Sequence, residues 1–259
     1  MRKPLSKISN ISFLACHRLE DFEQIAALQE KIWGDSPREL LPSHVLVAIA
    51  KSGGQIFAAF EHEKMIGYLL GLVGIKNRET YIHSHMTGLL PEYQHCGIGY
   101  QLKLKQREDA LARNIKRIEW TFDPFKLRNA YFNFNKLGAI AKTYLPNVYG
   151  MTVSPFDQGM PTDRLLVEWE INSSRVAEIL QNRYSTQSGS NLVNAASYRV
   201  ATAPRTVPAH HKIFVPEKNQ NLALQNEIRE KFQMVFAQGL MVTSVERVAA
   251  GMNYCLNPR

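Results

Sequence analysis

Apolar residues recur at helical spacing in two segments close to the start of the chain. Phe22, Ile25 and Ile32 are separated by one or two helical turns, so residues 20–33 are predicted to form a helix. The Gly-Asp-Ser-Pro run that follows would end it. A Pro-Ser-His start predicts a second, shorter helix over residues 42–50, which a Gly-Gly pair ends.

Apolar runs of strand length surround these helices. Residues 11–17 are predicted to form the first strand. Residues 55–61 and 65–75 flank the polar stretch 62–64, which is typical of an antiparallel hairpin. Residues 80–90 are predicted to form the next strand.

The middle of the chain alternates between helices and strands. The pattern predicts a helix over residues 97–114, a strand over 117–122, a helix over 127–137 and a late strand over 165–171. Meander strands followed by a strand–helix–strand crossover imply a mixed sheet covered by helices. The predicted fold class is therefore α+β, with a central mixed α/β sheet flanked by helices.

The amino-acid composition of the chain changes after residue 171, where Ser, Asn and Gln become frequent. The predicted elements beyond it are a loop over 185–196, a helix over 222–238 that Gly239 caps, and strands over 240–248 and 252–256. We therefore predict a first domain over residues 1–171 and an appended α+β segment over residues 172–259 that packs on it.

Composition and charge narrow the classes of partner. The 259 residues are 45% hydrophobic and 21% charged, which is typical of a globular chain and excludes a disordered one. The net charge is +8, and residues 172–259, with ten Lys and Arg against five Glu, carry +5 of it. Such a balance fits an anionic partner: a nucleic acid, an acidic membrane face or a phosphorylated small molecule.

The cysteines indicate a reducing compartment and no metal site. Cys16, Cys96 and Cys255 are odd in number, far apart and without Cys or His neighbours at metal-ligand spacing. The apolar stretch 11–16 is too short for a signal peptide, and the longest apolar run, 68–75, is too short to span a membrane. We expect a cytoplasmic protein with reduced thiols and no membrane partner.

One short segment has the features of an anion-binding turn. A strand end is followed by Gln94-x-x-Gly97-x-Gly99 and then by a helix. The glycines allow a tight turn and close approach of a ligand, while free amides and the helix dipole favour negative charge at one place. This pattern predicts a pyrophosphate cradle. It lacks the third glycine of a dinucleotide fingerprint and the Gly-Lys-Ser/Thr of a P-loop.

Two motifs in order resemble one known family. They are Pro-Glu-Tyr-Gln-x-x-Gly-Ile-Gly over residues 91–99 and Asn-Ala followed by Lys-Leu-Gly within residues 129–138. Together with the order of elements over residues 11–171, they resemble the GNAT superfamily of acyl-CoA-dependent N-acyltransferases.

The resemblance implies that acyl-CoA, acetyl-CoA by default, is the cosubstrate. Backbone groups at the end of the fourth strand would hold the pantetheine arm, and amides of the turn would hold the pyrophosphate. The implied cofactor-binding residues are Leu89, Leu90, Pro91, Gln94, His95, Cys96, Gly97, Ile98, Gly99, Tyr100 and Leu102, together with Asn129 for the pantetheine arm. Lys103, Lys105 and Arg107 either add positive charge near the adenosine phosphates or form a solvated helix face.

The family places a Glu that helps as general base at the position of His85 in this chain. Strand alternation predicts that His83, His85 and Thr87 share one face. Imidazole titrates near neutral pH, so His85 is a candidate base. A hydrogen-bonded structural histidine is the alternative.

The family's usual acid, a Tyr, is replaced here by Phe134. Three consequences are open: the thiolate leaves without a tyrosine donor, Tyr131 or Tyr144 replaces it, or the domain binds CoA without transferring anything. Tyr131 is our candidate, because it lies three residues before Phe134 on a neighbouring part of the same helical face.

The expected function is transfer of an acyl group, acetyl by default, from acyl-CoA to an amine of a small molecule or peptide, by direct attack in a ternary complex. The alternative is a non-catalytic CoA-binding regulatory module. The basic residues are scattered and no nucleic-acid-binding motif accompanies them, so no nucleic-acid partner is expected. The resemblance allows a homodimer.

Overall fold

A computed structural model of the chain describes residues 10–34, 40–151, 159–187, 211–218 and 220–259. These residues fall into two compact units. The first comprises the described residues through Trp120 together with Gly159, and the second those from Thr121 to Met151 and from Met160 onward.

Two helices near the start of the first unit agree with the apolar periodicity. Helix α1 covers Leu19–Trp33 and ends at Gly34, whose φ of 62° is left-handed. Helix α2 covers Ser43–Lys51. The Gln29 side chain connects the two helices, because its amide accepts from Leu41 N (2.9 Å) and donates to Leu41 O (2.8 Å).

The first unit is built on a mixed sheet with the strand order β1-β2-β3-β4-β5. The strands are β1 Ile11–Ala15, β2 Gln55–Glu61, β3 Lys64–Lys76, β4 Glu79–Leu89 and β5 Arg117–Phe122, the last of which leads into the second unit. Pairing is antiparallel from β1 to β4 and parallel between β4 and β5. The predicted hairpin and the predicted α+β class with a mixed sheet are confirmed.

Helix α3, Ile98–Ala112, makes the crossover that parallel pairing of β4 and β5 requires. A single 3₁₀ turn, Pro91–Tyr93, joins β4 to it. The core of the first unit includes Phe22, Ile25, Leu46, Tyr68, Leu69 and Leu102, all at most 2% exposed. The apolar faces of α1, α2 and α3 thus pack with the sheet in one core.

The second unit contains an antiparallel sheet with the strand order β7-β6-β9-β10-β8. Its elements in chain order are α4 Leu127–Tyr131, β6 Ile140–Leu145, β7 Arg164–Glu170, α5 Ser174–Gln187, β8 Lys212–Pro216, α6 Leu222–Ala237, β9 Leu240–Val248 and β10 Gly251–Pro258. Phe134, Trp169, Phe232 and Tyr254 are fully buried in it.

Several elements of the second unit differ from the sequence expectation. The predicted helix over 127–137 is α4 followed by a π-helical turn, Phe132–Lys136. Residues 185–187 of the predicted loop belong to α5, and the remainder, 188–196, lies outside the described residues. The polar composition of α5 concealed its helical spacing of Val176 and Leu180, which are both buried.

Strands β6 and β8 were not predicted. Each is only five or six residues long, and its apolar residues are adjacent instead of alternating with polar ones. Strand β6 lies before residue 171 and pairs with β9 after it, at Ala141 and Val242. The boundary predicted at residue 171 stays a prediction, since it rests on composition and the compact units rest on contacts.

Candidate active site

The turn between β4 and α3 is anchored to the sheet on its buried side. Tyr93, which is 3% exposed, donates its hydroxyl to Glu61 Oε2 at 2.7 Å. Leu90 N donates to Ile66 O at 2.9 Å, and Tyr93 N to Leu90 O at 2.9 Å. These bonds hold the chain as it leaves the strand.

The first turn of α3 presents backbone amides in the manner that an anion requires. The first helical bonds run from Tyr100 N and Gln101 N to Gly97 O, each 3.1 Å. The amides of Gly97, Ile98 and Gly99 therefore precede the first intrahelical donor, where the helix dipole is positive. Gly97 has a φ of 82°, and a Cβ built on it would meet no atom within 4 Å. The space in front of the turn is open.

The structure brings together the eleven predicted cofactor residues from Leu89 to Leu102 along one strand end, turn and helix start. Ile98 and Leu102 are buried in the core, so their side chains anchor the turn. The side-chain amide of Gln94 donates to Leu89 O at 3.3 Å, and Cys96 Sγ donates to Gln94 O at 3.4 Å. His95 has a left-handed φ of 66°. These contacts shape the turn from within.

The parallel pairing of β4 with β5 is short. It covers two pairs, Ile82 with Ile118 and His83 with Glu119. Beyond His83, β4 continues to Leu89 while remaining paired with β3 on its other side. The β5-facing edge of this part of β4 is therefore where a strand-like ligand arm would pair.

A β-bulge interrupts β4 at His85. Gly71 pairs with Ser84 and Leu70 with Met86, which leaves His85 as the extra residue on β4. Since directly opposite residues share a face, the pairing of Leu69 with Thr87 places Thr87 on the face of Ser84. The expectation that Thr87 shares a face with His83 is thus wrong, because the bulge inverts the alternation.

His83 and His85 lie side by side, with ring centroids 6.0 Å apart. Desolvation is the main cause that lowers the pKa of His83 below 6.5, and the nearby His85 and Lys103 lower it further. Desolvation also lowers the pKa of His85 below 6.5, although part of its surface is exposed. Both imidazoles are therefore neutral at pH 7, the state in which an imidazole accepts a proton.

The aromatic residues predicted around the acid role lie in the second unit. Phe134 is 0% exposed and packs edge-to-face against Phe122 and Tyr254, at 5.8 and 6.0 Å between centroids. Tyr144 donates its hydroxyl to Asp163 Oδ2 at 2.8 Å, and burial followed by this bond raises the pKa of Tyr144. A raised pKa makes Tyr144 a poor proton donor.

The other two predicted residues of the second unit are on α4. Tyr131 is half-buried at the last position of α4, where the helix widens into the π turn. Asn129 is exposed, and its backbone N–H donates to Lys126 O at 2.8 Å. The acid role of Tyr131 and the contact of Asn129 with the pantetheine arm stay predictions.

Lys103 is neither near a solvated surface nor placed to meet adenosine phosphates. It is 4% exposed and faces the sheet together with Leu102 and Gln106. Neither expectation from the sequence, a charge near the adenosine phosphates or a place on a solvated helix face, is correct for Lys103. Both assumed that a charged side chain on α3 would lie at the surface. The spacing of the buried positions 98, 102, 106 and 110 was the signal that could have found it, since position 103 lies on the same face.

Comparison with protein families identifies one domain of the chain. Residues 19–138 match the model of the Acetyltransferase (GNAT) family. This part of the chain is a GNAT domain. The comparison with curated proteins found no match.

Solved structures share the fold of the GNAT domain at low sequence identity. The ribosomal-protein-S18-alanine N-acetyltransferase of Escherichia coli has 11% identity and a TM-score of 0.50, covering 64% of this chain and 96% of its own. NAA60 of Arabidopsis thaliana, solved with a bisubstrate analogue, has 14% identity and a TM-score of 0.50, with coverages of 64% and 100%. The Streptococcus mutans protein smu.2055 has 16% identity and a TM-score of 0.51, with coverages of 63% and 100%.

Within the described ranges, no helix is both long and apolar enough to cross a membrane.

Proposed function

We propose that the protein is an N-acyltransferase that moves an acyl group, acetyl by default, from acyl-CoA to an amine of a small molecule or peptide. One observation carries the proposal. The open amide turn at the start of α3 directly follows the part of β4 that extends beyond its pairing with β5. A pyrophosphate and a strand-like pantetheine arm need these two features next to each other.

The residues present fit CoA as a cosubstrate. Three successive amides point from the helix start, a left-handed glycine leaves the approach open, and Tyr93 holds the turn from below. When bound, acyl-CoA supplies the activated thioester. The GNAT domain's own groups then bind the pyrophosphate and orient the acyl end along β4.

His85 is our proposed general base. Its neutral imidazole would take the proton of the attacking amine, and its place on the bulge separates it from the regular ladder of β4. Backbone N–H groups of the same part of β4 would serve the developing oxyanion. Tyr131 is the proposed proton donor to the thiolate, since Phe134 has no donor and Tyr144 is bonded to Asp163.

The acceptor is proposed to be an amine, with small molecules and peptides both open. A NatC complex with a TM-score of 0.50 to this chain was solved with Gag peptide and CoA, and it supports including peptides. We expect no metal, nucleic acid or membrane partner and a cytoplasmic location, as the sequence predicts. A homodimer is the oligomeric state to be tested, by measuring the molar mass in solution.

Calorimetry with CoA and a thiol-release assay with acetyl-CoA and a panel of amines test the proposal. We expect CoA binding, and release of thiol that depends on both an amine and the protein. Absence of CoA binding together with absence of release, across acetyl and longer acyl donors, would contradict it.

A matched pair of glycine variants locates the cofactor. Gly97 and Gly239 have left-handed φ values of 82° and 79°, and a Cβ on either meets nothing within 4 Å. Gly97→Val and Gly239→Val therefore carry similar backbone strain, on the order of 1–2 kcal/mol. We expect only Gly97→Val to weaken CoA binding, by at least about tenfold. Equal CoA affinities of the two variants would show that CoA does not bind at the turn that contains Gly97.

A non-catalytic CoA-binding regulatory module is the second candidate function. The observation that favours it is Phe134, which fills a buried aromatic cluster at the position where the family's acid would stand. Retained CoA affinity with no turnover, in both the unmodified protein and His85→Ala, would establish this candidate in place of the enzyme.

A further inference from the structure

Helix α3 carries a buried lysine that the proposed chemistry has not used. Lys103 is 4% exposed and lies one and a half turns after the helix start. It shares the buried face of α3 with Gln106, which is 0% exposed. A lysine in such a position needs partners for its three N–H groups.

The Lys103 ammonium has three such partners. Its Nζ donates to Ser84 Oγ at 2.6 Å and to Gln106 Oε1 at 3.2 Å. The third direction is over the ring of Trp120, 4.0 Å from the centroid, which is cation–π geometry. All three partners are neutral groups.

Carboxylates nearby are paired with other cations. Titratable groups on the elements around Lys103 include Lys76 on β3, His83 and His85 on β4, Arg117 and Glu119 on β5, and Asp109 on α3. Glu119 contacts Arg117 Nε at 3.0 Å and Lys76 Nζ at 3.9 Å. Asp109 contacts Arg113 at 3.1 Å. Helix α1 meets β4 with Ile32 and Trp33, which carry no charge.

The partner of Lys103 on the sheet is the residue just before the bulge. Ser84 is the last residue of β4 to pair with β3 before the register shifts, and His85 is the bulged one. Helix α3 therefore holds the proposed anion turn at its N-terminus and, through Lys103, the strand position next to the proposed base. One helix ties the two parts of the site together.

We propose that Lys103 is a positioning residue of the acyl-transfer site: its bond to Ser84 holds the strand beside the bulge that presents His85. The role in transfer rests on the proposed function, while the charge effect of Lys103 on His83 does not. Where Lys103 is protonated, its charge adds to the desolvation and the His85 contribution that together disfavour a positive imidazole at His83.

Titration of the histidine ring protons by NMR tests the electrostatic part without any turnover. In Lys103→Met, the positive charge that lowers the pKa of His83 is gone, so the pKa of His83 is expected to rise. Ser84→Ala keeps the charge, and its His83 should titrate as in the unmodified protein. The exposed Lys116→Met is the control and should change nothing. An unchanged His83 titration in folded Lys103→Met would overturn the proposal.

Kinetics test the positioning part. We expect Lys103→Met to lower kcat about tenfold, with the Kd for CoA changed less than about threefold. An equal loss in CoA affinity and kcat would assign Lys103 to binding and overturn its positioning role. Lys103→Gln, which keeps a donor to Ser84, serves if the Met variant does not fold. If the unmodified protein shows no turnover but His83 shifts in Lys103→Met, the proposed function fails and the charge effect stands.

Discussion

At the residue scale, the protonation of His85 sets the pH range in which transfer is expected. Its pKa is lowered below 6.5 by desolvation, so the imidazole is neutral above that pH and becomes protonated below its pKa. We expect kcat/KM, measured by thiol release, to fall at the low pH values where His85 becomes protonated.

His85→Gln should lower kcat about 100-fold and abolish this acidic limb. His62→Asn is the matched control, since His62 is an exposed turn residue with a φ of 55° that Asn tolerates. A full acidic limb in His85→Gln would assign the base role to another group.

Lys103 makes a second prediction, on stability. Desolvation lowers its pKa from 10.5 to about 7, so between these values the folded state binds fewer protons than the unfolded state. The free energy of unfolding therefore rises with pH across this range. We expect the stability advantage of Lys103→Met over the unmodified protein to be largest below pH 7 and to shrink towards pH 10.5, measured by denaturant unfolding. A difference that does not vary with pH would show that Lys103 titrates normally.

At the element scale, a buried carboxylate fastens α6 to the start of β7. Asp163 is 1% exposed and accepts from Arg229 Nε at 2.8 Å and Nη2 at 2.9 Å, as well as from Tyr144 and from Asn147 N. Arg229→Met leaves this carboxylate without its cation. Because Arg229 is partly solvent-exposed, we expect a loss of about 2–3 kcal/mol, below the full cost for a buried pair.

A second pair on the same helix provides the control. Lys231 and Glu227 are both about half exposed and one turn apart. Lys231→Met should therefore change the free energy of unfolding by less than about 0.5 kcal/mol. Similar losses in the two variants, measured by urea unfolding, would show that the Asp163 network contributes no more than a surface pair.

The elements themselves were largely predictable from periodicity, and their contacts were not. Helices α1, α2, α3 and α6 and strands β1 to β5 appear within a few residues of the predicted ranges. The bulge at His85 could not be predicted, because a bulge is defined by the register against β3, which lies outside the local pattern.

At the scale of the whole molecule, residues after 171 complete the second unit. Strand β9 pairs with β6, and Phe232 and Tyr254 pack together at 5.3 Å between ring centroids. Phe232 also stacks on Tyr144, and Tyr254 packs against Phe134. We therefore expect a chain ended at Ile171 to lose the core of the second unit and to be insoluble, judged by expression and circular dichroism. A folded, soluble fragment would establish residues 1–171 as an independent domain.

The sequence by itself determined the order of the elements from β1 to β5, the glycine turn at the start of α3 and the GNAT resemblance, because these depend on residues close together in the chain. Tertiary structure alone decided that Lys103 is buried against Ser84, that Thr87 changes face, and that Tyr144 is bonded to Asp163. Each of these depends on which strand or helix meets the residue. Local periodicity predicts the face of an element, and only packing decides what covers that face.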